Sequence, residues 1–225
     1  MTKAVTRVGG FFASEGFKNY LASLRYCLFT MRRPIVGFWD LIHEKRGTMA
    51  AAHTIVVVTI IVEIMRLTLT NFQFLIAYLD VFNVFMAISQ ILLPILLWTV
   101  ANWSLTTLMD GKGRLADIYM GTAYALAPMV IIRAILIPVS HIITHEEGMI
   151  YWTANTIGVA WFVMLLLVAM MEIHDYTMSK TILSSIFTVV AVGFIIFVFV
   201  IFFAVVSDGV SYFISLGREI IFRMR

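Results

Sequence analysis

The stretch MAAAHTIVVVTIIVEIMRL, from Met49 to Leu67, carries two side chains charged at neutral pH, Glu63 and Arg66, and is otherwise almost wholly apolar. In a helix rising ~1.5 Å per residue, such a run crosses a hydrocarbon layer ~30 Å thick. Four similar runs follow: Phe82 to Trp103, interrupted by Asn83, Ser89, Gln90, Pro94 and Asn102; Ile118 to Ile143, with Arg133 inside; Tyr151 to Met171; and Ile182 to Val206. The pattern predicts an all-α integral membrane protein, a bundle of five transmembrane helices.

Composition agrees. Of 225 residues, 61% are hydrophobic and 13% charged, against roughly 25% charged in soluble domains, and the mean hydropathy is +0.96. The runs leave no room for a separate soluble core. The division expected is a leader over residues 1–48, a membrane domain over 49–206 and a C-terminal tail over 207–225. The leader has no uninterrupted apolar core followed by a cleavage site, so it reads as retained. The net charge of +3 resides beside the first run, where the lipid bilayer, not nucleic acid, is the partner. The single cysteine, Cys27, has no second thiol for a disulfide or a metal motif and reads as apolar filler.

Orientation follows from Lys and Arg in the connections. Eleven lie on one side: Lys3, Arg7, Lys18, Arg25, Arg32, Arg33, Lys45 and Arg46 in the leader, then Lys112, Arg114 and Lys180. The segments Thr68 to Val81 and His141 to Gly148 have none. This predicts a cytoplasmic N-terminus and an exterior tail, although that tail bears Arg218, Arg223 and Arg225. Within the leader, Phe11, Phe12, Phe17, Tyr20, Leu21, Leu24, Leu28 and Phe29 recur at helical spacing, with Lys18, Asn19, Arg25 and Arg32 between them. Two placements fit: a helix in the membrane interface, or one packed on the protein's own spans.

Specific strings go further than hydropathy. RRPIVGFWDLIHEKRGTMAAA (Arg32 to Ala52) precedes the first span; ANWSLTTLMDGKG (Ala101 to Gly113) and DIYMGTAYALAP (Asp117 to Pro128) follow the second; EIHDYTMSK (Glu172 to Lys180) follows the fourth. This order, with Gly121, Tyr124 and Pro128 marking the third span, resembles the Yip domain family of membrane proteins in its bacterial-type branch. The resemblance implies five membrane helices, a cytoplasmic N-terminus and an exterior or luminal C-terminus. Eukaryotic relatives are linked to Rab-type GTPases and vesicle traffic. Here their acidic, glycine and proline signature before the first span is loosened to FWDLIHEKRG, and Gly121 is separated from Tyr124. A plasma-membrane location fits the bacterial-type branch.

Charges inside hydrocarbon are costly and need partners or water. Counted from the same side, Glu63 lies about 21 Å up the first span and Arg133 about 22 Å up the third. They are expected to pair, with Arg66 one turn farther out at the interface. Asn155 falls near the same level and Gln90 somewhat deeper. This cluster reads as interhelical glue or as a solute site. Gly121 with Ala125, and Ala154 with Gly158, have the four-residue spacing that lets helices approach.

No enzyme signature emerges. His141 and His145 have the i, i+4 spacing of metal ligands, with His43, His53 and His174 elsewhere, but the pattern lacks the rest of a zinc motif and no metal or other cofactor is expected. Gly111-Lys112-Gly113 lacks the lead and the hydroxyl of a phosphate loop and reads as a turn; Ser104, Thr106 and Thr107 have no nucleophile-elbow context. The functional reading is a non-enzymatic scaffold or accessory subunit that binds another membrane protein, with homo-oligomers also open. The face assigned to that partner gathers Trp39, Asp40, Gly47, Asn102, Trp103, Asp110, Gly111, Gly113, Asp117, His174 and Tyr176; a headgroup-contacting face explains the same pattern. The alternative is a small transporter or permease component using the polar cluster.

Overall fold

A computed structural model describes residues 15–75 and 83–223; the expectations for Phe11 and Phe12 fall outside them. Two helices precede the membrane domain, α1 (Glu15–Arg32) and α2 (Pro34–His43). The first span is α3 (Met49–Leu69) and the second α4 (Val84–Leu108). The third consists of α5 (Leu115–Ala125) and α6 (Ala127–Val139). The fourth and fifth are α7 (Gly148–His174) and α8 (Met178–Arg223). Five helical segments are long and apolar enough to cross a membrane.

Local chemistry sets the boundaries. Thr48 caps α3 by accepting the Ala51 N–H, and Asn83 caps α4 by accepting that of Phe85; each satisfies a donor that a helix start leaves unpaired. The third span, read as one helix to Ile143, is instead broken at Leu126 and ends at Val139. Pro128 has no N–H for the carbonyl of Tyr124, so the ladder cannot run through. The second and fourth spans continue past the expected ends at Trp103 and Met171, because polar side chains end an apolar run without ending a helix. For the same reason α8 begins before Ile182 and runs through the segment read as a tail, to Arg223.

α5 is the central helix. All eight residues from Ile118 to Ala125 are buried, and Gly121, Thr122, Ala123 and Ala125 among them are small enough for neighbours to close in: α3, α4 and α7 all pack on it. Gly121 faces α7 so closely that a Cβ would stand 2.6 Å from Ile173 Cδ1. Gly158 similarly faces Ile132 of α6. The main core lies in the half of the bundle nearer α1 and α2, where Phe38, Leu41, Ala52, Ile118, Tyr124, Leu165 and Met170 are buried. A smaller cluster of Phe74, Leu136 and Tyr151 closes the far end.

The leader helix combines both placements read from sequence. α1 packs on α2, α3, α5 and α6, but through Ser23, Cys27 and Thr30, its buried residues; Leu21, Leu28 and Phe29 point outward. Tyr20, Leu24, Tyr26 and Met31 pack beside these small residues against the core, so one face of α1 is inside the bundle and the other is uncovered. α8 packs on α4 and α7 near its start. There Thr181, Ser184, Ser185 and Thr188 are buried; from Val189 to Leu216 no residue is.

Candidate functional site

Glu63 of α3 holds two guanidiniums. Arg133 of α6 donates from Nη1 to Oε2 at 2.8 Å, and Arg66 donates from Nη2 to Oε1 at 2.6 Å and from Nε to Oε2 at 3.1 Å. Arg66, expected at the interface, turns back one helical turn because the carboxylate has a free oxygen there and hydrocarbon offers none. Arg133 Nε reaches Asn155 Oδ1 at 3.4 Å. Glu63 is 4% exposed, so its charge needs a counter-charge, and with two guanidiniums the trio retains one uncompensated positive charge. Buried Tyr151, which the sequence reading missed, stands against Arg66.

Beside the trio is a cleft of about 410 Å³. Glu63, Gln90 and Arg133 line one end and Trp98, Phe162 and Leu166 the other. The cleft exists because α4 and α7 barely touch each other while both pack on the third span or its neighbours. Pro94, in its wall, has no N–H for the carbonyl of Gln90. Gln90 therefore belongs with the charged cluster through the cleft, without a bond to it among those observed.

At the opposite end, near the N-terminal segment, the residues read as a partner-binding face divide. Asn102 and His174 turn inward, 0% and 1% exposed. Gly113 N–H donates to His174 Nδ1 at 3.2 Å, which leaves Nε2–H to donate to Asn102 Oδ1 at 3.0 Å. Asn102 Nδ2 then donates to Thr188 Oγ1 of α8 at 3.1 Å. The glycines of the turn are required by contact: a Cβ on Gly113 would overlap Ile173 and His174, and one on Gly111 would lie 2.7 Å from Thr106 Cβ. Asp110 enters the turn with φ 59°.

The Tyr176 hydroxyl and Lys180 Nζ both donate to the carbonyl of Met109, at 2.8 and 2.9 Å. Lys112 pairs with Asp175 at 2.8 Å and holds its carboxyl below the usual carboxylate range. Asp117 accepts the Arg114 N–H at 3.3 Å at the start of α5. These groups form an internal latch joining α4, α5, α7 and α8.

The other members sit on α2 and its loop, apart from Trp103 on α4. Tyr26 donates to Asp40 at 2.8 Å, and burial followed by that bond raises its pKa. Gly47 lies where a Cβ would meet Leu41 and Met120, each at 2.8 Å. Trp39, stacked on His43, and Trp103 stay exposed, at 45% and 42%. His141 Nε2 lies 2.7 Å from the Leu69 carbonyl oxygen.

The third-span residues anchor the leader. Tyr124 is fully buried, its hydroxyl 2.7 Å from Ser23 Oγ and donating to the Ser23 carbonyl at 3.1 Å. Ser23 Oγ also accepts the Thr48 N–H at 3.0 Å, so one serine ties α1 to α5 and to the cap of α3. Nothing in the sequence singles out Ser23. The family model described as the Yip1 domain matches residues 29–201, from the end of α1 into α8. The chain belongs to the Yip1 domain family. Within that family's matched region lie Tyr124, the latch, the ion trio and the cleft; Ser23 lies just before it. No curated protein and no solved structure matches the chain.

Proposed function

We propose that this Yip1 domain protein is a non-enzymatic membrane scaffold or accessory subunit, and that it binds another membrane protein through the far part of α8. The observation that carries this reading is the length of that helix. Its 46 residues extend about 69 Å, and about 53 Å of that remains along the membrane normal even at a tilt of ~40°. A bilayer with its headgroup regions measures only ~40–45 Å. The segment past Val206 carries Asp208, Arg218, Glu219 and Arg223, yet it keeps large apolar side chains uncovered: Val210, Tyr212, Phe213, Ile214 and Phe222 are each more than half exposed. Such a surface past the bilayer fits a contact with another protein.

The basic connections support an N-terminus in the cytoplasm, with the end of α8 outside, and the resemblance favours the plasma membrane. Exposed Trp39 and Trp103 offer a second contact at the cytoplasmic face. A photo-crosslinking residue at Phe213 tests the proposal in native membranes. One discrete heterologous protein, absent when the same residue is placed at Val163 on α7, is the expected product; crosslinks to lipid or to a second copy alone would overturn it.

The cleft favours a second reading, a transporter component. It requires that Glu63→Gln abolish solute flux in a protein that still folds, and loss of folding instead returns the cluster to a structural role.

A further inference from the structure

The two halves of the bundle pack differently. Near the N-terminal segment, α5 is buried on every side; toward the far leaflet, α4 and α7 separate and leave the cleft open to the lateral surface. The exposed neighbours of the lining residue Phe162, Val159 and Val163 of α7, are apolar, so the opening faces lipid chains.

The cleft is polarised along its length. Gln90 to Trp98 is about 12 Å of helix, with Gln90, Glu63 and Arg133 at the end toward the far surface and Trp98, Phe162 and Leu166 toward the bilayer centre. A lipid of the far leaflet has the same polarity, head outward and chain inward. The polar end carries excess positive charge: one carboxylate faces two guanidiniums. Of the five N–H groups of Arg133, the bonds to Glu63 and Asn155 engage two. Pro94 also leaves the Gln90 carbonyl without its helical donor. The volume, about 410 Å³, is within the range of ligand sites, ~300–1,000 Å³.

We infer that the cleft binds an anionic amphiphile of the far leaflet, its head on Arg133 and its acyl chain along Trp98 and Phe162. The bound anion neutralises the charge that Glu63 leaves unmatched. The site is independent of the partner proposed for α8 and of any transport.

Purified full-length protein in phosphatidylcholine vesicles, probed with chain-labelled spin lipids, tests this directly. The probes are phosphatidylglycerol, stearic acid and phosphatidylcholine, measured in about 1 M salt, where a screening length of ~3 Å suppresses the exposed basic leader but much less a buried contact. The expected result is about a tenfold preference for an anionic probe over phosphatidylcholine, the weight of one charge-assisted hydrogen bond. Which anionic probe is immobilised identifies phospholipid or fatty acid as the source.

Arg133→Gln removes the preference, and so does Ile91→Trp, which fills the cleft and leaves every charge in place. Excess inorganic phosphate does not compete. Equal immobilisation of all probes, a preference that survives both substitutions, or full competition by free phosphate would each overturn the assignment.

Discussion

Removing Glu63 and removing Arg133 have unequal consequences, although they break the same ion pair. Glu63→Gln leaves Arg66 and Arg133 facing each other with no counter-charge, their side chains 25% and 18% exposed. Stranding buried charge in this way costs about 3–5 kcal/mol. Arg133→Gln leaves Glu63 with the two-pronged Arg66 bond intact and removes the excess positive charge. Its cost is that of one hydrogen bond to the carboxylate, about 1.5–3 kcal/mol.

The double variant should recover part of the Glu63→Gln loss, because one of the stranded guanidiniums is gone. The expected coupling is about 0.5–3 kcal/mol. Reversible unfolding in mixed micelles, followed by tryptophan fluorescence, measures all three variants. Equal single losses, or strictly additive ones, would refute a trio organised around one carboxylate.

Other consequences are as direct. Tyr124→Phe removes the tie between α1 and α5 and should cost about 1–3 kcal/mol, with protease cutting of α1 accelerated before the spans unfold. Gly113→Ala drives a methyl into Ile173 and His174 and should cost about 1–3 kcal/mol; hydrogen exchange should rise across residues 109–114 and the start of α8 together. Cys27, 8% exposed with its thiol pushed up to about 12 by burial, should resist maleimide at pH 8 until the protein unfolds. Because the folded pKa is the raised one, the proton's contribution to stability is complete below the unfolded value of ~8.5 and disappears as pH climbs toward 12.

The sequence made the spans legible because hydrocarbon imposes a single criterion, length of apolar run. It also placed Glu63 and Arg133 at one depth, since both helices rise from the same side at a known pitch. What it could not give depends on azimuth. From sequence Arg66 reads outward because one turn toward the surface is also the direction of water, and only the rotation of α3 reveals that its guanidinium can fold back. The latch reads from sequence as a surface for the same reason: Asn102, His174 and the two glycines are polar or small, and nothing in their order distinguishes a groove for a partner from a joint between the chain's own helices. Ser23 was invisible because its role comes from a Tyr124 distant in sequence. The cleft follows from two helices failing to meet, and an apolar wall with Ile91, Trp98 and Phe162 reads like any lipid-facing surface.

The end of α8 is where the account is most exposed to test. Residues 189–216 can be replaced by leucine at every apolar position, which preserves a spanning helix, leaves Thr181 through Thr188 on α4 and erases side-chain shape. Wild-type and replaced proteins are then isolated from native membranes in mild detergent, and their partners quantified by mass spectrometry against the Phe213 crosslink. The expected result is a stoichiometric membrane protein with the wild type that is lost with the leucine helix, at unchanged melting temperature. An identical set of co-isolated proteins in both would contradict it.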